Sequence, residues 1–335
     1  MGKRTWVVIT AVVAMLASVS SQALECIAVI SGSGGTHYWR AVEAGAKKAA
    51  SELGLEVFFR QPHDETAHQA QRQLIDEALQ RGCRGLVLAP SSNNDADALA
   101  AWHQRGIPVV LIDRPLNVGP VAGRVMTDNY AAGRLAAQKL MLALRDRGHV
   151  TVMRLKQGIA STDAREQGFL DEIRHSHMTL VEPVYLGTDI AEIRQNAEQY
   201  LQRHAAELDG IFTPNEMTTV GVMAELRRSP RHGAIVHIGF DYNRFLLQAL
   251  QQGEISGLIL QQPYAMGYQG VKMAASSAAE ADKDVIHFTP VFYLTAKSMN
   301  EPQGRQFLQL NTEAASRHKV TPVDAAAGSG SETKK

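Results

Sequence analysis

A surplus of charge is what this chain most plainly lacks: 34 Lys and Arg stand against 34 Asp and Glu over 335 residues. Without a basic excess there is no electrostatic footprint for nucleic acid or for an anionic membrane surface. Cysteine is scarce too, with only Cys26 and Cys83. No Cys-x-x-Cys or His-Glu-x-x-His spacing occurs, which removes the usual metal motifs. Also missing are a Gly-x-Ser-x-Gly nucleophile elbow and the Lys-Ser/Thr ending of a P-loop. Beyond the amino end, no stretch has the roughly eighteen uncharged apolar residues of a membrane-spanning helix. No repeat of solenoid period is visible. No catalytic residue, metal ligand or cofactor is therefore expected.

The amino end supplies an address. Lys3 and Arg4 precede an apolar stretch over 6–17, and Ser21-Gln22-Ala23 has small residues at the two positions a signal peptidase reads. This is the pattern of a removable secretory leader over residues 1–23, too short and wrongly flanked for an anchor. Glu25 before Cys26 argues against a lipoprotein. Cleavage before Leu24 removes two positive charges and no negative ones, so 34 and 34 become 32 and 34, a net charge near −2. The remaining chain, 335 less 23 residues, exceeds what one hydrophobic core serves, and two lobes are expected. Both cysteines survive cleavage, each at the amino end of an apolar run. In an oxidising compartment, here the periplasm, such a pair is expected bridged rather than free.

Apolar runs of four to seven residues alternate with amphipathic stretches of ten to eighteen. Strands are predicted over 26–31, 55–59, 85–89, 108–112, 122–126, 150–155, 180–185, 210–213, 234–240, 256–260 and 288–294. Between them, Trp39-Val42-Ala46-Ala49-Ala50-Leu53 and Ala70-Leu74-Ile75-Ala78-Leu79 place apolar side chains on one helical face. The strand runs are nearly continuous in hydrophobicity, as in parallel strands covered on both faces. This alternation predicts an α/β fold with doubly wound parallel sheets. Gly54, Gly82, Gly106 and Gly148 are placed at helix ends, where a left-handed residue stops a helix at little cost. A further helix is predicted within 301–318, with Phe307, Leu308 and Leu310 on its apolar face. The small and polar run from Ala325 onward reads as a disordered tail.

Polar signatures follow the apolar runs. They are Gly32-Ser33-Gly34-Gly35 with Tyr38-Trp39, then Asp113-Arg114-Pro115, Ala164-Arg165-Glu166, Asn215-Glu216, Gly239-Phe240-Asp241 and Gln261-Gln262-Pro263. In open α/β sheets, ligands bind in the crevice at the carboxyl ends of the strands. Polar groups planted there strand after strand converge on one small molecule. Alone, Asp113-Arg114 is a surface ion pair and Tyr38-Trp39 is ordinary packing; together at strand ends they read as a binding site.

These residues, with Ile27-Ala28-Val29, Gly45-Ala46, Ile107-Pro108-Val109, Thr127-Asp128-Asn129, Gln167-Gly168-Phe169 and Met217, resemble the type I periplasmic sugar-binding proteins. That ribose-binding-protein-like group shares its fold with lactose-repressor-like cores. The resemblance covers nearly all of 26–296 and implies two doubly wound lobes joined by three crossovers, with a hinge that closes on ligand. It implies an amino-terminal lobe of 24–127 plus 262–289, a carboxyl-terminal lobe of 128–261 plus 290–300, a terminal helix extension over 301–324 and a disordered tail over 325–335. Carried over residue by residue, it makes Asp113, Asp241 and Asn215 hydrogen-bonding partners of sugar hydroxyls. Arg114 and Arg165 supply forked donors, Gln261 adds a donor and an acceptor near the hinge, and the faces of Tyr38 and Trp39 stack on a sugar ring. Two departures stand out: Thr36 occupies a position often held by Asn, and Thr188-Asp189 stands where ribose binders carry a third aromatic. Asp189 reads more simply as a helix N-cap. The family topology makes the first and third strands neighbours, which implies a Cys26–Cys83 disulfide.

The resemblance leaves two functions open. One is a monomeric receptor that hands a monosaccharide to the membrane permease of an ABC importer. The other is a sensory adaptor for a membrane histidine kinase, like the autoinducer-2 receptor. A repressor is excluded by a leader where a DNA-binding module would stand, and an enzyme is not expected.

Overall fold

The computed structural model describes residues 25–64, 66–91, 95–118, 121–276 and 284–312. The expectations for the leader over 1–23, for 313–324 and for the tail over 325–335 lie outside these residues.

The chain winds two α/β lobes. The first begins β1 (Cys26–Ile30), α1 (His37–Leu53), β2 (Glu56–Arg60), α2 (His68–Gln80), β3 (Gly85–Leu88), α3 (Asp95–Gln104), β4 (Val109–Ile112) and β5 (Gly123–Thr127). The second takes α4 (Asn129–Leu144), β6 (Gly148–Arg154), α5 (Ala160–Arg174), β7 (Met178–Leu180), β8 (Val184–Tyr185), α6 (Ile190–His204), β9 (Gly210–Phe212), α7 (Glu216–Leu226), β10 (Val236–Phe240), α8 (Arg244–Gln251) and β11 (Gly257–Leu260). Then α9 (Pro263–Ala274) and β12 (Ile286–Thr289) return to the first lobe, and β13 (Phe292–Leu294) and α10 (Pro302–Thr312) end in the second.

Strand order is β12-β5-β4-β3-β1-β2 in one sheet and β13-β11-β10-β9-β6-β7 in the other, with β8 also on β6. Every pairing is parallel except β11 with β13. Each sheet has the order 2-1-3-4-5 of a doubly wound fold, whose switch point opens a crevice at the strand carboxyl ends. Fully buried runs such as Ile27, Ala28, Val29 and Ile30 explain the unbroken hydrophobicity of the strands. A separate apolar cluster covers each face of each sheet.

Three predicted elements differ. The run 288–294 is two strands in different sheets, because Pro290 has no N–H for a ladder and the chain changes lobe there. The run 180–185 is likewise split into β7 and β8 around Pro183. Gly148 does not end a helix: α4 is capped by Arg145 in the left-handed conformation (φ 55°), and Gly148 opens β6. At the chain end, Phe307 of α10 stacks on Phe292 at 5.4 Å between ring centres. The Leu310 side chain lies outside the described residues.

Close helix approach repeats in both lobes. A Cβ on Gly45 would sit 2.0 Å from the Tyr264 carbonyl oxygen, and one on Gly267 2.0 Å from that of Val42. In the second lobe a Cβ on Gly133 would sit 1.9 Å from the Arg165 carbonyl oxygen, and one on Gly168 2.1 Å from that of Tyr130. Thus α1 meets α9, and α4 meets α5, backbone against backbone.

Cys26 and Cys83 form a disulfide, with Cα atoms 4.6 Å apart and a sequence separation of 57. It ties the amino ends of β1 and β3, far from the crevice. Cys83→Ser is expected to cost roughly 3–4 kcal/mol by freeing that loop in the unfolded chain. Urea denaturation of oxidised wild type and variant measures it; equal midpoints and slopes would show that the bridge does not stabilise the fold.

Candidate functional site

The carboxyl ends of the two sheets face one cleft. All eight expected residues line it: Tyr38, Trp39, Asp113, Arg114, Arg165, Asn215, Asp241 and Gln261. The cavity they enclose is small, about 40 Å³.

The amino-terminal lobe builds its half from two strand ends. After β1, Thr36 caps α1 by accepting from the Trp39 amide at 3.4 Å. The first helical turn then carries Tyr38 and Trp39, both buried. Their ring centres are 4.9 Å apart with planes at 85°, so at most one of them can lie flat on a given ligand face. After β4, Asp113 takes a left-handed φ of 64°, which Asp tolerates better than most residues. Both its oxygens are engaged: Tyr38 Oη donates to Oδ1 at 2.8 Å and Arg114 Nε to Oδ2 at 3.0 Å. A Cβ on Gly32 would come within 2.8 Å of Arg114 Nη1, so only glycine lets the guanidinium lie against the β1–α1 turn. Trp39 Nε1 is held by Ser33 Oγ at 2.9 Å.

The carboxyl-terminal lobe mirrors this. Asp241 follows β10 with a φ of 62°, the counterpart of Asp113. Arg165, in the second turn of α5, is 2 % exposed. Its Nε donates to Asn129 Oδ1 at 2.8 Å, its Nη1 to the Pro214 carbonyl at 2.9 Å and its Nη2 to Gln261 Oε1 at 2.8 Å. The guanidinium also lies 3.9 Å over the Phe240 ring. Gln261 joins the network: Thr127 Oγ1 donates to its Oε1 at 2.8 Å, and its Nε2 donates to Asp241 Oδ1 at 2.7 Å. Thr127 ends β5 and Gln261 follows β11, so the network sits on two of the three crossovers. Asn215 caps α7, its Oδ1 accepting from the Thr218 amide at 3.0 Å, which leaves its amide nitrogen for the cleft.

Sequence reasoning passed over several of these partners. Asn129 of Thr127-Asp128-Asn129 is one of them, and its place just after a strand is the available signal. Glu216, directly after Asn215, also lines the cleft, and its type and place in a first helical turn carry no signal of that. Leu155, Ile159 and Met217 add apolar surface from the second lobe. Asp189 is an N-cap, accepting from the Ala191 and Glu192 amides at 2.8 and 3.3 Å, and does not line the cleft.

Burial dominates the electrostatics. It lifts the Asp241 carboxyl to about 7, although Arg165 and the Gln261 hydrogen bond pull the other way. It lowers the Arg165 guanidinium against the opposing pull of Asp241 and Asp113. The Glu216 carboxyl is raised by burial too, with Asn243 and the Tyr38 and His37 amides opposing. The Tyr38 hydroxyl is held well above its ordinary value by burial and then by Asp113, so it is a donor at any working pH.

A cleft between two doubly wound lobes, floored by hydrogen-bonded charge pairs and walled by aromatics, defines a ligand-binding protein. The model of the periplasmic binding protein domain matches residues 27–282, and the chain belongs to that family. It is similar to the D-apiose import binding protein of Paraburkholderia graminis, 27% identical over 84% of this chain and 88% of that protein. The periplasmic component of an ABC-type sugar transport system from Hahella chejuensis is 35% identical, with a TM-score of 0.76 over 81% of this chain and 99% of that one. A solute-binding protein of Agrobacterium vitis with bound D-fucose is 28% identical, with a TM-score of 0.77 over 84% and 99%. These are solute-binding proteins, not enzymes.

Two outcomes test the site. Arg165→Ala strands Asn129 Oδ1 and the Pro214 carbonyl, and is expected to cost about 2 kcal/mol of stability or more. It should also weaken the cognate ligand at least about tenfold in calorimetry. The second concerns pH. Asp241 sits at about 7 in this closed arrangement, but opening returns its carboxyl to water and toward an ordinary value of about 3.9. Between those values the closed form holds the proton more tightly, so closure of the ligand-free protein is favoured as pH falls through about 7 and opposed above it. Small-angle scattering should show a smaller radius of gyration at pH 5.5 than at pH 8, and Asp241→Asn should reduce the difference, the raised Glu216 carboxyl supplying the remainder in the same sense.

Proposed function

We propose that this protein captures a monosaccharide or a similar small polyol between its lobes and delivers it to the membrane permease of an ABC-type importer. The observation that carries the reading is the pairing of charges in the cleft. Asp113 is bonded to Arg114, and Asp241 is linked through Gln261 to Arg165. Each of these two carboxylates faces a guanidinium, directly or through Gln261, and the cleft offers many directional donors and acceptors. That suits a neutral ligand rich in hydroxyls. In this reading Asp113, Asp241, Arg114, Arg165 and the Asn215 amide address hydroxyls, and one ring of the Tyr38–Trp39 pair covers an apolar sugar face. Gln261, bonded on both its oxygen and its nitrogen, sets Arg165 and Asp241 in place.

The similar proteins support the reading. They include import binding proteins for D-apiose and ribose and a structure with D-fucose bound. They give no support to the histidine-kinase adaptor. All eight residues come from one chain, so the site is complete in a monomer. The family's periplasmic setting accords with the leader read over 1–23 and with the disulfide.

Ligand that touches both lobes gains contacts only when they close, and that differential affinity shifts the population. Closure then presents both lobes together to the permease. A thermal-shift panel of D-apiose, D-ribose, D-arabinose, D-allose and D-fucose tests the assignment. At least one is expected to raise Tm in a concentration-dependent way and to reduce the radius of gyration. Failure of every aldose and polyol to shift Tm would overturn it.

A further inference from the structure

Beside the charge pairs, the two lobes also meet at a third carboxylate of the cleft lining. Glu216 opens α7 in the carboxyl-terminal lobe and is 8 % exposed. Its Oε2 accepts from the Tyr38 amide at 3.2 Å and its Oε1 from the His37 amide at 3.3 Å. Those amides belong to the first turn of α1 in the amino-terminal lobe, where backbone N–H groups have no partner within their own helix. They also carry the positive end of the helix dipole, which favours an anion. Asn243 Nδ2 donates to Oε1 at 3.0 Å from the same lobe as Glu216, fixing the carboxylate toward α1. Beside it the His37 ring packs on Tyr242 at 4.8 Å between ring centres, again lobe to lobe.

We propose that Glu216 is the latch of the closed state, a positioning residue that joins the lobes through the α1 amino end and sets how long ligand stays, not which sugar is chosen. The inference rests on capture by closure. It adds a holding element that belongs to the protein alone: the contact links carboxylate to backbone, and no ligand atom is needed to make it. Opening the cleft separates α1 from α7, breaks both hydrogen bonds donated by the His37 and Tyr38 amides and returns the carboxylate to water. Desolvation offsets much of what the three bonds contribute, so the latch is weak. A receptor that must give up its cargo at a permease needs one that lets go.

The geometry also explains why the latch leaves selectivity alone. It engages the backbone of His37 and Tyr38, so it fixes the start of α1, and with it the Tyr38 and Trp39 rings, without using their side chains. Gln at this position keeps one acceptor and can still meet Asn243 and one amide. Ala keeps none.

The test is stopped-flow dissociation of D-arabinose and D-ribose, or whichever aldoses of the panel bind, from wild type, Glu216→Gln and Glu216→Ala, with scattering of each protein without sugar. Glu216→Ala is expected to release every bound sugar about 5-fold faster, in keeping with the loss of hydrogen bonds of modest net worth. Association should change by less than about twofold, Glu216→Gln should fall between, and the affinity ratio of the two sugars should hold. The sugar-free radius of gyration should be larger in the Ala variant, and its Tm should stay near wild type. Unchanged dissociation would overturn the latch. A loss that differs sharply between sugars would overturn it as well, making Glu216 a ligand contact. If no sugar binds wild type, the capture reading fails, and the latch is judged on scattering alone: equal radii for the sugar-free proteins refute it.

Discussion

A guanidinium taken out of water must find partners on its own edge, and the burial of Arg165 imposes that demand on the centre of the molecule. An unpaired charge there would cost several kcal/mol. Three of its nitrogens are met by Asn129, the Pro214 carbonyl and Gln261, one on the helix after the first crossover and one at the second. The group that lines the cleft is thus bonded to the segments that link the lobes. Cleft and hinge share atoms. Gln261 serves both, since it also holds Thr127 and Asp241.

The two halves of the cleft answer each other. Each ends a strand with a left-handed aspartate, at φ 64° for Asp113 and 62° for Asp241. Such backbone costs of order 1 kcal/mol at a residue other than glycine and persists where the surroundings over-determine it. Here the surroundings are specific: Tyr38 and Arg114 on one aspartate, Gln261 on the other. The turn aims each carboxylate into the cleft instead of along its sheet.

The alternation of buried runs with amphipathic helices made the doubly wound lobes legible, because parallel strands covered on both faces need continuous apolar sequence. The site was legible for a related reason: Asp113, Asn215, Asp241 and Gln261 each follow such a run, where the fold has its crevice. Pairing partners are harder to read. Nothing local in 288–294 tells that β12 joins β5 while β13 joins β11, since that depends on strands far away in sequence. Glu216 was opaque because an acid in the first turn of a helix already has an ordinary explanation in its own dipole. Its partner amides on α1 lie 178 and 179 residues away.

The glycine contacts bear on how such a molecule moves. Where α4 meets α5, and α1 meets α9, main chains touch with no side chains between them to slide or compress. Each pair is a rigid strut, and relative rotation is left to the linking segments around Asp128, Gln262 and Pro290. Every point on a lobe then swings as part of one lever, and small adjustments at the pivot are magnified with distance from it. Two dyes placed on the outer helices of opposite lobes would read the cleft as a gauge reads a valve. The protein would report occupancy by shape, without any chemistry on the cargo.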